Sequence, residues 1–212
     1  MIYSSLNKKV LWNIPSSAKA ILDVGCGTGE MGKALKTREK ERIVCGITYL
    51  KEEFDIASTI LDKVWLVDIN NGNTEIDTRF DCIIFSHVLE HTYNPAAVLK
   101  HFSCFLKDNG IIIIGLPNVL YFKQRFEFLK GRFKYSTYGL LDATHFRFFD
   151  WETAQELVTA AELNIISKEA DGHFPLFFLR KLSPSFCRFI DRVSLKYWPG
   201  LFAFQFVFVA KK

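Results

Sequence analysis

An apolar run enters three glycines at alternate positions: Ala20-Ile21-Leu22-Asp23-Val24 is followed by Gly25-Cys26-Gly27-Thr28-Gly29-Glu30. Glycine lets a chain leave a buried strand through a turn too sharp for a side chain. It also lets a ligand lie against the main chain where a Cβ would stand in the way. The feature commits the chain to a strand, a tight turn and a helix, and the rest of the sequence keeps that rhythm. Strands are expected at 20–24, 43–47, 64–67, 81–85 and 111–115, with helices between them near 30–36, 52–61 and 96–106. The strand runs are continuously apolar instead of alternating, as in a parallel sheet covered on both faces. The expected class is doubly wound α/β.

After residue 115 the rhythm changes. A helix is expected near 118–130, a long aromatic loop over 131–149, and a helix over 152–161 with Trp151 and Leu157 facing inward. Final strands near 165–169 and 203–209 flank an amphipathic, basic insertion at 174–198 interrupted by Pro184, and an amphipathic helix over 5–14, ended at Pro15, precedes everything. No repeat, low-complexity tract or Gly/Ser linker divides the chain, and 212 residues with 49% hydrophobic content suit one core. One domain over 1–212 is expected. Within it, 1–117 form a ligand-binding half, 118–200 a loop and helical cover, and 201–212 the last strand. The longest apolar stretches, 111–117 and 201–210, fall short of the roughly 18–20 residues that cross a bilayer. Residues 1–13 lack the order of a secretory leader, so a cytoplasmic location is expected. The five cysteines, Cys26, Cys45, Cys82, Cys104 and Cys187, form no CxxC pair and are read as small core hydrophobes. The net charge of +4 is uneven: residues 172–212 carry seven Lys and Arg against Asp191 alone, and sixteen of the 21 Phe lie between Phe122 and Phe208.

The glycine spacing is GxGxG, not the GxGxxG of a dinucleotide fingerprint that cradles a pyrophosphate. Residues 21–30 closely resemble motif I of class I S-adenosylmethionine-dependent methyltransferases, a resemblance that runs through most of the chain. It implies a single Rossmann-like domain with a seven-stranded, mostly parallel sheet, an antiparallel C-terminal strand and a helical insertion before that strand. It also implies S-adenosylmethionine as cofactor, with Gly25, Cys26, Gly27 and Gly29 against its amino-acid and ribose parts and Asp23 holding the ammonium end. The second strand departs from the family, ending in Thr48 where an Asp or Glu usually accepts the ribose hydroxyls. The run from Gly46 to Glu53 is instead similar to the cyclopropane-synthase branch, which makes Thr48 and Glu53 the ribose candidates; a solvated first helical turn is the plainer reading of Glu53. Asp68 would accept from the adenine amino group and the Ile69 amide would donate to the ring, with a cap or turn as the alternative for Asp68.

The segment Phe80 to His91 is similar to the family's fourth strand and the turn after it. That likeness puts Ser86 and His87 beside the methionine part of the cofactor, at the topological switch point where α/β sheets bind ligands. Glu90 and His91 are read as polar contacts at a helix start, with His91 also a catalytic candidate. The pattern His87-x-x-Glu90-His91, with His145 later, partly resembles the ExxEH arrangement of magnesium-using methyltransferases that act on small-RNA 2′-hydroxyls. Histidine in the first position weakens that match for a cation that prefers oxygen, so no metal is expected. His145, in a long loop of the kind that is usually functional, is a candidate general base, or a positioning residue. Arg147 is read either as an anion holder or as a surface ion pair.

The runs IIIIGLPN at 111–118, Gly131 to Tyr135 and Gly139 to Phe149 resemble a bacterial subgroup associated with glycosyltransferases and surface-polysaccharide synthesis. The expected reaction is therefore O-methylation of a sugar, glycan or lipid-linked intermediate. Residues 174–198 could also lie on an anionic membrane at its inner face, or serve as a pocket cover or dimer face. A non-catalytic scaffold that keeps the fold is the competing reading, favoured by Thr48 and disfavoured by the intact glycine turn and Asp68. Nucleic-acid modification is a third; with modest charge and no RNA-binding motif, no nucleic-acid partner is expected.

Overall fold

The computed structural model describes residues 6–71, 74, 76–176 and 178–212. The chain runs α1 (Lys8–Asn13), β1 (Ala20–Val24), α2 (Glu30–Arg38), β2 (Ile43–Thr48), α3 (Lys51–Ala57), β3 (Lys63–Leu66) and β4 (Phe80–Ser86). It continues through α4 (Pro95–Ser103), β5 (Leu106–Pro117), α5 (Phe122–Leu129), α6 (Trp151–Ala160) and β6 (Asn164–Gly172). The last elements are α7 (Leu179–Leu182), α8 (Pro184–Tyr197), α9 (Pro199–Phe202) and β7 (Ala203–Lys211). Short 3-10 turns follow β3 at Ile69–Asn71 and β4 at Leu89–His91.

Seven strands form one sheet in the order β3-β2-β1-β4-β5-β7-β6. The first five pair in parallel, and β7 runs against both β5 and β6. The doubly wound α/β class expected from the continuously apolar runs, and the seven-stranded, mostly parallel sheet that the family resemblance implies, are the ones observed. Both faces are covered, which is why those runs do not alternate. On one face Leu22, Val24, Ile83 and Phe85 pack with Val98, Leu99 and Phe102 of α4 and with Ala154, Leu157 and Val158 of α6. On the other, Ile21, Cys82 and Ile84 pack with Val10 and Leu11 of α1, Met31 and Leu35 of α2, and Ala57 of α3. Trp151 turns inward onto Phe206 and Phe208, with ring centroids at 5.1 and 5.8 Å.

Several boundaries differ from the sequence reading. The helix expected to reach residue 106 ends at Ser103, because β5 already begins at Leu106, which pairs with Phe80 ahead of a register shift. The helix expected from 118 starts at Phe122. Asn118 is fully buried and donates from Nδ2 to the Gly200 and Ala203 carbonyls at 3.0 and 2.7 Å, bracing β5 against the end of α9. Cys104 is exposed at the end of α4, unlike the other four cysteines, which are buried. Ser5, where the first helix was expected to begin, and Phe177 lie outside the described residues.

Candidate functional site

Chain order reverses between β1 and β4, and the carboxyl ends of the strands beside such a switch point are where α/β sheets bind ligands. The glycine turn follows β1 at this point. Gly25, Gly27 and Gly29 have φ of 75°, 52° and 88°, left-handed values that side chains rarely adopt. The Gly25 and Cys26 amides both donate to the Ile47 carbonyl at 2.9 Å, tying the turn to β2. Asp23, one residue before the end of β1, is 3% exposed, and burial raises its carboxyl pKa to about 7. A carboxyl held there in low dielectric is primed to receive a cation.

Thr48 and Glu53, five residues apart in sequence, meet where β2 passes into α3. Thr48 Oγ1 donates to Glu53 Oε2 at 2.6 Å, and both residues are buried. Glu53 is thus not the solvated helix-start acid of the plainer reading. After β3, Asp68 Oδ1 accepts from the Asn70 amide and side chain at 2.9 and 3.2 Å, holding the turn that Ile69 begins. The turn contact foreseen as the alternative for Asp68 is present.

Ser86 closes β4, and His87 follows it in a left-handed conformation, φ 57°, its amide donating to the Gly115 carbonyl. Its ring Nε2 lies 2.8 Å from Gln205 Oε1. Gln205 Nε2 donates to Asp171 Oδ2 at 2.7 Å, which fixes the amide so that Oε1 must accept, and His87 must carry its proton on Nε2. Asn7 completes the network by donating to the same Oε1 at 2.8 Å. The other face of the His87 ring, Nδ1, stands 3.4 Å from Glu90 Oε1. The surrounding protein disfavours a charged His87, but contacts with Glu90 and Gln205 outweigh that effect and raise its pKa.

The loop at 131–149 folds over this end of the sheet. The Phe146 and Arg147 amides both donate to the Glu90 carbonyl, at 2.8 and 3.1 Å. Arg147 donates from its guanidinium to the Tyr93 carbonyl at 2.7 and 3.2 Å, so it pins the loop. His145 is thereby brought against His91, with ring centroids 4.6 Å apart and edge to face. Burial lowers the pKa of His145, with Glu90 opposing and His91 adding to that effect, so the ring is neutral near pH 7. Tyr93 packs on Phe146 and Phe133 on Tyr135, with ring centroids at 4.6 and 5.4 Å, and all four are more than half exposed.

Sequence reasoning passed over Asn7, Gln205, Asp142 and Thr144. Gln205 had a signal, since it is the polar interruption in the apolar run of β7; Asn7 had none. A separate cleft of about 480 Å³, lined by Pro15, Ala18, Asp81 and Lys107, opens at the opposite, amino ends of the strands. Asp81 is occupied there by the Lys19 and Ala20 amides and by Lys107.

Comparisons with known proteins bear on the family and the fold. The family described as a methyltransferase domain matches residues 5–168. "N-methyltransferase 4" of Papaver somniferum is 28% identical over 131 residues, 58% of this chain and 36% of that protein. "Ubiquinone biosynthesis O-methyltransferase" of Coxiella burnetii is 28% identical over 116 residues, 52% of this chain and 49% of that protein. The chain thus spans between about a third and a half of the length of these relatives. Among solved structures, a SAM-dependent methyltransferase from Archaeoglobus fulgidus superposes with a TM-score of 0.64 at 20% identity, covering 92% of this chain and 87% of that one. A coclaurine N-methyltransferase bound to N-methylheliamine and SAH superposes with a TM-score of 0.59 at 14% identity, covering 93% and 69%.

Proposed function

We propose, for a chain that belongs to the methyltransferase-domain family, that it transfers the methyl group of S-adenosylmethionine to a hydroxyl of a sugar, glycan or lipid-linked intermediate. The observation that carries the cofactor half is the row of groups at the carboxyl ends of β1, β2 and β3. Asp23 meets the cofactor's ammonium, the Gly25 to Gly29 turn its amino-acid and ribose parts, Thr48 with Glu53 the ribose hydroxyls, and Asp68 with the Ile69 amide the adenine. Ser86 and His87 flank the methionine sulfur. No ligand-sized diphosphate contact is required of the turn.

Oxygen as the acceptor atom follows from the proton that must leave. A sulfonium methyl is already activated, so in-line alignment does most of the work, and well-oriented pairs reach effective molarities of about 10⁵ M or more. A hydroxyl also needs its proton taken, and a neutral imidazole at His145 is a competent base near pH 7, a contribution of about 10² to 10⁴, with His91 in ring contact as the other candidate. The relatives with printed activities include both N- and O-methyltransferases, so the imidazole pair is the feature that favours oxygen. The exposed aromatic rings give flat apolar faces on which a sugar ring or polyprenyl chain can rest.

A second reading concerns where the acceptor is met. Asp191, the one acid of residues 172–212, is turned inward: it pairs with Arg180 through both oxygens at 2.8 Å and accepts from the Phe174 amide. The outward surface of α7 and α8 is left with Lys181, Arg188, Arg192 and Lys196 beside exposed Leu182, Phe186 and Phe189. That combination suits an anionic membrane surface and brings the enzyme to a lipid-linked substrate at the cytoplasmic face. Among the described residues no helix is long and apolar enough to cross a membrane.

The reaction is tested by incubating the purified protein with methyl-labelled S-adenosylmethionine and bacterial glycan or polyprenyl-linked sugar fractions. Label is expected in an acceptor that releases it under ether-cleaving but not amine-selective conditions. Label found only on nitrogen would overturn the oxygen assignment.

A further inference from the structure

Glu90 is 1% exposed, and among the described residues neither of its carboxylate oxygens takes part in a hydrogen bond. His87 Nδ1 stands 3.4 Å from Oε1 and answers that oxygen when the ring is charged, which leaves Oε2 with no partner among the described residues. An ionised carboxylate buried without donors is strongly disfavoured unless a cation meets it. His145 Nδ1 is also buried without a hydrogen bond, while the same ring hydrogen-bonds the Leu140 backbone. Glu90 Oε2 and His145 Nδ1, both buried without a hydrogen bond, thus belong to one cluster, and His91 is its third member. Ligating atoms of Glu90, His91 and His145 all lie within 4.8 Å of one another.

We propose that Glu90, His91 and His145 bind one divalent transition cation, with zinc the best match to the donors. Two imidazoles and one carboxylate are a borderline set that suits zinc and its first-row neighbours, whereas magnesium and calcium prefer oxygen throughout. Donors around a zinc ion at about 2.1 Å stand roughly 3.4 Å apart, so the group closes on the ion by side-chain rotations of about an ångström. The surroundings are built as metal sites are built. Asp142, 3% exposed, accepts from the Thr144 amide and hydroxyl at 2.8 and 2.7 Å. Thr144 in turn receives His91 Nδ1–H at its hydroxyl, 3.0 Å, and at its carbonyl, 3.2 Å. This relay fixes the tautomer of His91 so that its basic nitrogen is Nε2, the role that outer contacts play for metal-binding histidines. Three protein donors leave a position open on the ion. The consequence for chemistry rests on the methyl-transfer reading: an acceptor hydroxyl bound at that position has its proton affinity lowered, a task otherwise left to the imidazoles.

The test uses tag-free protein stripped with a chelator and titrated with Zn²⁺ and Co²⁺ in the absence of cofactor. One cation per chain is expected, with Co²⁺ giving visible ligand-field bands of mixed nitrogen and oxygen coordination that Zn²⁺ abolishes. Glu90→Gln and His145→Ala are each expected to weaken Zn²⁺ binding at least tenfold. His173→Ala, altering a histidine that packs near Tyr121, should leave it unchanged. The wild-type Co²⁺ spectrum decides the matter even if a variant does not fold. Binding of S-adenosylhomocysteine, measured on the same samples by calorimetry, reports on the cofactor reading separately, so failure of one is not mistaken for failure of the other. No saturable Zn²⁺ binding up to millimolar concentration, a Co²⁺ spectrum without nitrogen ligation, or undiminished binding in both site variants would each overturn the proposal.

Discussion

Asp23 makes a sharp prediction at the scale of one residue, because its carboxyl has a pKa of about 7 in the protein against an ordinary value of 3.8. A raised carboxyl binds its proton more tightly folded than unfolded. It therefore takes stability away as pH climbs from about 4, and the loss is complete above pH 7. A cofactor ammonium needs the ionised form, so binding must release the proton that Asp23 holds below neutrality. The dissociation constant of S-adenosylhomocysteine should weaken about tenfold per unit as pH falls below 7 and level off above it. Asp23→Asn should bind weakly with a flat profile; calorimetry from pH 5.5 to 8 distinguishes the two. At Gly25 the expectation concerns stability. A left-handed φ costs a side chain about 1–2 kcal/mol, and a Cβ there would come within 2.4 Å of Val88 Cγ2. Gly25→Ala should therefore lower Tm by about 2–8 °C, and an unchanged melting curve would refute the geometry of the turn. These residues were legible in the sequence because only glycine and a buried acid suit a strand that turns onto a ligand. Gln205 and Asn7 were not, since they act through a network joining positions 198 residues apart.

At the scale of elements, the strands of the parallel half were readable because each is a short apolar run buried on both sides. Boundaries failed where tertiary contacts overrode local pattern. Asn118 reads as a helix start but is consumed as a buried brace, and β5, expected from 111, already begins at Leu106. The insertion was legible as amphipathic and basic, yet its polarity became interpretable only once Asp191 was seen to face inward. From that arrangement α8 should carry the protein onto vesicles containing anionic lipid at low ionic strength, and should release it as salt rises past the screening range. Phe189→Asp with Arg192→Glu should abolish co-sedimentation without lowering Tm. Failure of the unaltered protein to sediment with such vesicles would remove the membrane reading and leave α8 as a cover or an interface.

For the molecule as a whole, the order β3-β2-β1-β4-β5-β7-β6 sets the switch point, and the loop at 131–149 sets what stands over it. The sequence reading named Asp23, the glycines, Thr48, Asp68 and His87, which lie at or just past the carboxyl ends of strands, and Glu53 in the helix that follows β2. It gave His91 and His145 separate weights, and the structure brings them into ring contact through a loop held to the Glu90 and Tyr93 carbonyls. No local pattern encodes that meeting, because it depends on how a loop without regular structure is pinned. The account as a whole rests on what the glycine turn receives, and calorimetric titration of the purified chain with S-adenosylhomocysteine and, in parallel, with a nicotinamide dinucleotide tests this most directly. One molecule of S-adenosylhomocysteine per chain is expected, with affinity lost on Gly27→Val and no heat from the dinucleotide. Absence of S-adenosylhomocysteine binding, or saturable dinucleotide binding that Gly27→Val removes, would contradict it.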